Sequence, residues 1–130
     1  MRLPIRAKWL PLLAAISVAG CATYPDNVSY LYGERYHRTK MRTYPTIVTA
    51  IDGRSTALNP APVPIESGPR VLRLSTAPVT GFGFPQEREL QLVVEPCKRY
   101  HIVAERDNAL LQDWRPVIDH VEPASGGSCK

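Results

Sequence analysis

Two stretches of apolar–polar alternation, separated by the three residues Pro96-Cys97-Lys98, set the limits on what this chain can fold into. In residues 89–95, Leu90, Leu92 and Val94 alternate with Glu89, Gln91 and Glu95. In residues 99–105, Tyr100, Ile102 and Ala104 alternate with Arg99, His101 and Glu105. A period of two belongs to a strand with one face buried, because successive side chains point to opposite sides of the sheet. Pro96 stops the first strand, since it cannot donate to a ladder. The same text continues on either side. Residues 46–51 are β-branched and end at Asp52-Gly53, a turn signal. In residues 70–74, Leu72 and Leu74 are expected to point inward, after a turn at Gly68-Pro69. The prolines of residues 59–64 suit an extended edge. Residues 114–121 supply a last strand. Residues 109–113 make at most one helical turn, and no strong amphipathic helix is present. Six or seven short strands with turn punctuation predict an all-β fold, a small antiparallel β-sandwich over residues 45–130.

The first 20 residues stand apart from that domain. Arg2, Arg6 and Lys8 precede an uncharged apolar run at residues 9–18 that is too short for a mature membrane span. Val18-Ala19-Gly20-Cys21 follows. This order resembles the lipobox of bacterial lipoprotein signal peptides. The resemblance implies that residues 1–20 are removed and that the Cys21 thiol carries a diacylglyceryl group. Acyl chains anchor stably because each buried CH₂ contributes about 0.8 kcal/mol. Ala22, where an aspartate would imply retention in the inner membrane, points by the same resemblance to the outer membrane, with the protein facing the periplasm. Three of the 16 basic side chains sit in the leader, which leaves 13 against 12 acidic ones. The full chain's formal charge of +4 is therefore weak evidence for nucleic acid, which needs a basic patch that survives processing.

Cys97 and Cys129 remain as an even pair in an oxidising compartment. A disulfide between them is the simplest reading. It closes a loop of roughly 33 residues, worth about 3–4 kcal/mol on the chain-entropy model. Two free thiols, a metal pair and a redox couple are the alternatives. The CxxC spacing of redox motifs is absent.

Residues 21–44 are expected to be the lipidated cysteine and a tether. Tyr30, Tyr32, Tyr36 and Tyr44 are interleaved there with Arg35, His37, Arg38, Lys40 and Arg42, without a clean period. The segment reads as a partly ordered linker with one short strand, or as a piece that lies on the sandwich or touches a partner or peptidoglycan.

No catalytic constellation is apparent. His37, His101 and His120 stand in no HxH or HExxH arrangement. Alternation places His101 outward, on a solvated face beside Arg99 and Glu105. Ser67 and Ser75 lack a nucleophile elbow. The Gly81-Phe82-Gly83-Phe84-Pro85 segment lacks the features of a phosphate loop. No enzyme activity, metal or cofactor is expected. Phe82 and Phe84 lie on a connecting segment and are candidate binding residues, or else a plug under the sandwich. Trp114 is a core tryptophan first and a ligand platform second.

The run from Val48 through Asp52-Gly53, then Pro62-Val63-Pro64-Ile65, then Gly68-Pro69-Arg70-Val71-Leu72-Arg73-Leu74 resembles the PEGA domain pattern, over about 30 residues. Pro69 and the extra residues between Gly53 and Pro62 depart from it. That resemblance implies an immunoglobulin-like or prealbumin-like sandwich of surface and envelope proteins. Residues 94–100 with 113–117 are similar to proteobacterial envelope lipoproteins, which implies location and fold but no activity. The expected role is a non-enzymatic binding or accessory module, with an envelope protein as partner. A peptidoglycan or glycan binder is the alternative, and a metal-binding or enzymatic role would need His101, His120 and Asp119 to cluster. An exposed aromatic row with acidic neighbours favours the glycan. A flat apolar patch favours the protein.

Overall fold

The computed structural model describes residues 27–56, 62–77, 87–126 and 129. Eight strands account for the fold: β1 (Ser29–Tyr32), β2 (Thr43–Ile51), β3 (Arg54–Ser55), β4 (Val63–Ile65), β5 (Gly68–Thr76), β6 (Arg88–Val94), β7 (Lys98–Glu105) and β8 (Arg115–Pro123). The protein is all-β and sandwich-like. Pairing runs in the order β4-β1-β7-β2-β5-β6, with β3 added to β2 and β8 to β7. β2 is the corner strand. Thr43, Tyr44 and Pro45 pair with β7, whereas the remainder, from Thr46 to Ile51, pairs with β5.

The alternation seen in the sequence decides which face is buried. Leu72 and Leu74 from β5, Leu92 and Val94 from β6, and Tyr100, Ile102 and Ala104 from β7 close the core. Leu31, Val48, Ile65 and Trp114 complete it. The Asp52-Gly53 turn is confirmed as a two-residue hairpin. Both residues have positive φ, 49° and 79°, which matches the twist of the flanking strands. Gly68 and Pro69 do not form a turn. They begin β5 and pair with Val94 and Val93. Pro69 is tolerated there because β2 pairs with β5 only as far as Leu72, so no ladder bond is asked of its nitrogen on that side.

The domain boundary expected at residue 45 is corrected. β1 lies inside the sheet, between β4 and β7. It pairs in parallel with Arg99, Tyr100 and His101 of β7, an exception to the antiparallel arrangement. One edge of β7 is thus shared: β1 occupies its first half and the start of β2 its second. Ser29 and Leu31 are buried, because the pleat turns those two toward the core and leaves Tyr30 and Tyr32 on the outer side.

Candidate binding surfaces at the loop pole and the aromatic flank

Apart from the seven-residue connection 56–62 between β3 and β4, the strand directions sort the connections by length. At one end of the sandwich the chain turns in two residues (52–53), two (66–67) and three (95–97). At the other end the connections take ten residues (33–42), eleven (77–87) and nine (106–114). The first end is also where Cys97 and Cys129 form a disulfide, with Cα atoms 5.6 Å apart. There Cys97 N–H donates to Asn27 O (3.3 Å) and Ala124 N–H to Cys97 O (2.8 Å). This is the stapled pole. The opposite end is the loop pole.

One buried arginine ties the loop pole together. Arg106 is 2% exposed. Its guanidinium lies 4.5 Å from the Tyr44 ring centroid and donates from Nη2 to Ala77 O at 2.8 Å. Its backbone N–H donates to Arg42 O at 3.0 Å. All three long connections are joined at this residue. Arg88 adds a second link, with Nε donating to Trp114 O (3.2 Å) and Nη2 to Asp113 (2.7 Å). That guanidinium bond holds the Asp113 carboxyl below the usual carboxylate range. Outside this framework the pole presents apolar side chains to solvent. Met41 is 85% exposed, Leu110 81% and Leu111 53%. A second apolar patch lies on the outer face of the other sheet, where Val71 and Val93 adjoin across the β5–β6 ladder beside Pro69.

The 33–42 connection also covers a flank. Gly33 leaves the sheet where no side chain fits, since a Cβ there would lie 1.8 Å from Thr46 O. Thr46 N–H donates back to Gly33 O at 2.9 Å. The segment then crosses the outer face of β7 and β8. Tyr36 stacks on His120 with centroids 3.8 Å apart, and Tyr32 stacks on His101 at 5.0 Å. His101 and His120 are cross-strand partners. A bulge between His101 and Ile102 sets Asp119 as the extra residue of β8. Its carboxylate accepts from His37 N–H at 3.1 Å and approaches His37 Nδ1 (3.4 Å) and Lys40 Nζ (3.6 Å). Burial pushes the Asp119 carboxyl up, but the His37 amide and imidazole and the Lys40 ammonium outweigh it and hold it below its ordinary value. Glu122 is likewise lowered, chiefly by its hydrogen bond with His101 Nε2 at 3.1 Å.

His101 is therefore corrected. It points to the outer side, as alternation requires, yet only 9% of it is exposed, because Tyr32, Tyr36 and the connecting segment cover it. Its Nδ1 is buried without a hydrogen-bond partner. His101, His120 and Asp119 do come together on one flank, but Asp119 is engaged by the loop. Among the described residues no three His, Cys, Asp or Glu side chains stand close enough to hold a metal ion. Trp114 is 4% exposed and packs in the core, so it offers no platform. Cys21, Phe82 and Phe84 lie outside the described residues. The Arg106 pin, the loop pole and the aromatic flank were missed in the sequence. Strand direction is what assembles them, and only the Tyr/Arg richness of residues 30–44 hinted at the flank.

No protein-family model matches the chain, and neither a curated protein nor a solved structure does.

Proposed function

We propose that this chain is a non-enzymatic binding module of the bacterial envelope, held to the outer membrane by lipid on Cys21 and presenting its loop pole to a protein of a periplasmic assembly. The observation that carries the reading is the opposition of the two poles. Asn27, the first described residue, sits at the stapled pole beside Cys97. It lies six positions after Cys21, a reach of about 20 Å at full extension. A lipid there faces the stapled pole toward the membrane. The long connections, with Met41, Leu110 and Leu111 exposed, then point into the periplasm. Loops set on a rigid scaffold are where sandwich proteins carry recognition, and exposed apolar side chains rimmed by charge mark protein contacts. Arg38, Lys40, Arg42 and Asp107, all exposed, flank them in the sequence.

The test is site-specific photo-crosslinking in cells. A crosslinker at Met41 or Leu110 is expected to trap one and the same protein, while one at Gln91, on the exposed face of β6, traps none. Trapping from Val93 but from neither loop position moves the interface to the β5–β6 face and overturns the pole assignment. Cys21→Ser is expected to release a soluble periplasmic form. A variant still bound to membrane overturns the anchor.

A further inference from the structure

We propose a second binding site on the flank of the sandwich, a groove that takes a glycan strand of the cell wall. It rests on the envelope address just argued, but uses residues that the loop-pole reading does not. β1 alternates so that Tyr30 and Tyr32 stand on the same outer side, about 6.6 Å apart along the strand. Tyr32 cannot swing freely. It stacks on His101 with ring planes 22° apart, and His101 is itself held by Glu122. Tyr30 is 38% exposed. The two rings form one wall of a groove of about 430 Å³, whose lining includes Arg99 and, opposite, residues 124–126. That volume lies within the range of small-molecule sites and suits one or two sugar rings.

The chemistry of the lining selects the ligand. A pyranose ring offers a face of C–H bonds and a rim of hydroxyls. The C–H face packs on an aromatic ring, which carries negative charge on its faces. The rim needs donors and acceptors at its edge. Arg99 brings five N–H donors in a fixed fork. Its contact with Glu122 is long, 3.8 Å, so most of that fork is left for a ligand. Carboxylates and acetamido carbonyls on an amino-sugar chain are matched acceptors. The opposite wall, residues 124–126, is pinned. Ala124 N–H donates to Cys97 O, and Gly126 and Cys129 exchange both backbone bonds, at 3.2 and 3.1 Å. The Cys97–Cys129 disulfide thus fixes the far wall of the groove. Its reduction is expected to weaken binding even while the sheet persists.

The experiment uses the full-length lipoprotein in detergent micelles. It is co-sedimented with purified peptidoglycan sacculi, and its affinity is measured for glycan strands freed of their peptides. Wild type is expected to bind both. Tyr30→Ala and Arg99→Gln are each expected to weaken binding at least tenfold, Tyr30→Trp to retain it, and Gln91→Ala to leave it unchanged. Reduction of the disulfide is expected to weaken it severalfold. Failure of wild type to sediment overturns the site. So does undiminished binding by a Tyr30→Ala protein with a wild-type thermal midpoint. Binding to sacculi but not to peptide-free strands assigns the contact to peptide stems and overturns the glycan. If Tyr30→Ala abolishes the crosslinks made from Met41, the flank serves the protein partner and the glycan site is again overturned. Loss of glycan binding with those crosslinks intact keeps the two readings apart.

Discussion

The stapled pole and the loop pole are built from the same eight strands, yet they solve opposite problems. At the stapled pole the chain reverses in two or three residues, and left-handed backbone at Asp52, Gly53, Cys97 and Gly68 makes those reversals tight. Asp52 is held there by the Val71 amide and by Arg70, which lower its carboxyl. At the loop pole nine to eleven residues pass between strands, and among the described residues Arg106 and Arg88 tie them by reaching to carbonyls. Short connections leave little freedom to lose or to use. Long ones cost only slightly more to close and leave side chains free for display. The difference shows that a sandwich can close one end with tight turns and a disulfide and keep its long connections at the other.

Four measurements break or sharpen that contrast. The largest effect is expected from Cys97→Ser/Cys129→Ser, which removes the staple. Chemical denaturation is expected to show a loss of about 3–4 kcal/mol. A loss below 1 kcal/mol would mean that the tight turns alone hold that pole. Arg106→Met comes next. It deletes the bond to Ala77 O and the contact over Tyr44, together worth about 2–3 kcal/mol. Hydrogen exchange should quicken in residues 33–42 and 106–114 while the β5–β6 ladder stays protected. Uniform quickening would show that the pin serves the whole core.

A smaller effect is expected from acid. Asp119 and Glu122 both have folded-state carboxyls below their ordinary values. Their stabilisation is therefore complete above about pH 4–4.5, the ordinary carboxyl range, and is lost as pH falls through the depressed folded values. Residues 33–42 should become protease-sensitive in that window, before the global transition. A loop that loosens only together with the core would refute a local latch. Least of all, Met41→Ser/Leu110→Ser is expected to shift stability by under about 0.5 kcal/mol while abolishing partner crosslinks. A larger loss would show these side chains to be structural.

Much of the sandwich was legible beforehand, for a physical reason. Alternation points Leu72, Leu74, Leu90, Leu92, Val94, Tyr100, Ile102 and Ala104 inward, and all of them are buried in or packed against the core. Period two is local, and burial on one face follows from it. β1 was hidden because only Ser29 and Leu31 face inward, too few positions to show a period. His101 was given the right face and the wrong burial, because what covers it is Tyr36, 65 positions earlier. The poles were illegible for a related reason. Connection lengths acquire meaning only once strand directions are known, and directions depend on pairings such as Tyr30 with Arg99.

That pairing also bears on the order in which the molecule can assemble. β1 emerges first and can meet β4 on one edge, but its other edge must wait for β7, almost 70 residues later. Contacts so distant in sequence slow folding. Until they form, Arg99, Tyr100 and His101 present an open edge, the kind of surface on which chains aggregate. Under the anchoring proposed above, the first segment would spend that interval confined to a membrane surface, with one edge of its strand unfilled. Slow closure of the β1–β7 seam would then be the step at which an envelope chaperone has most to protect.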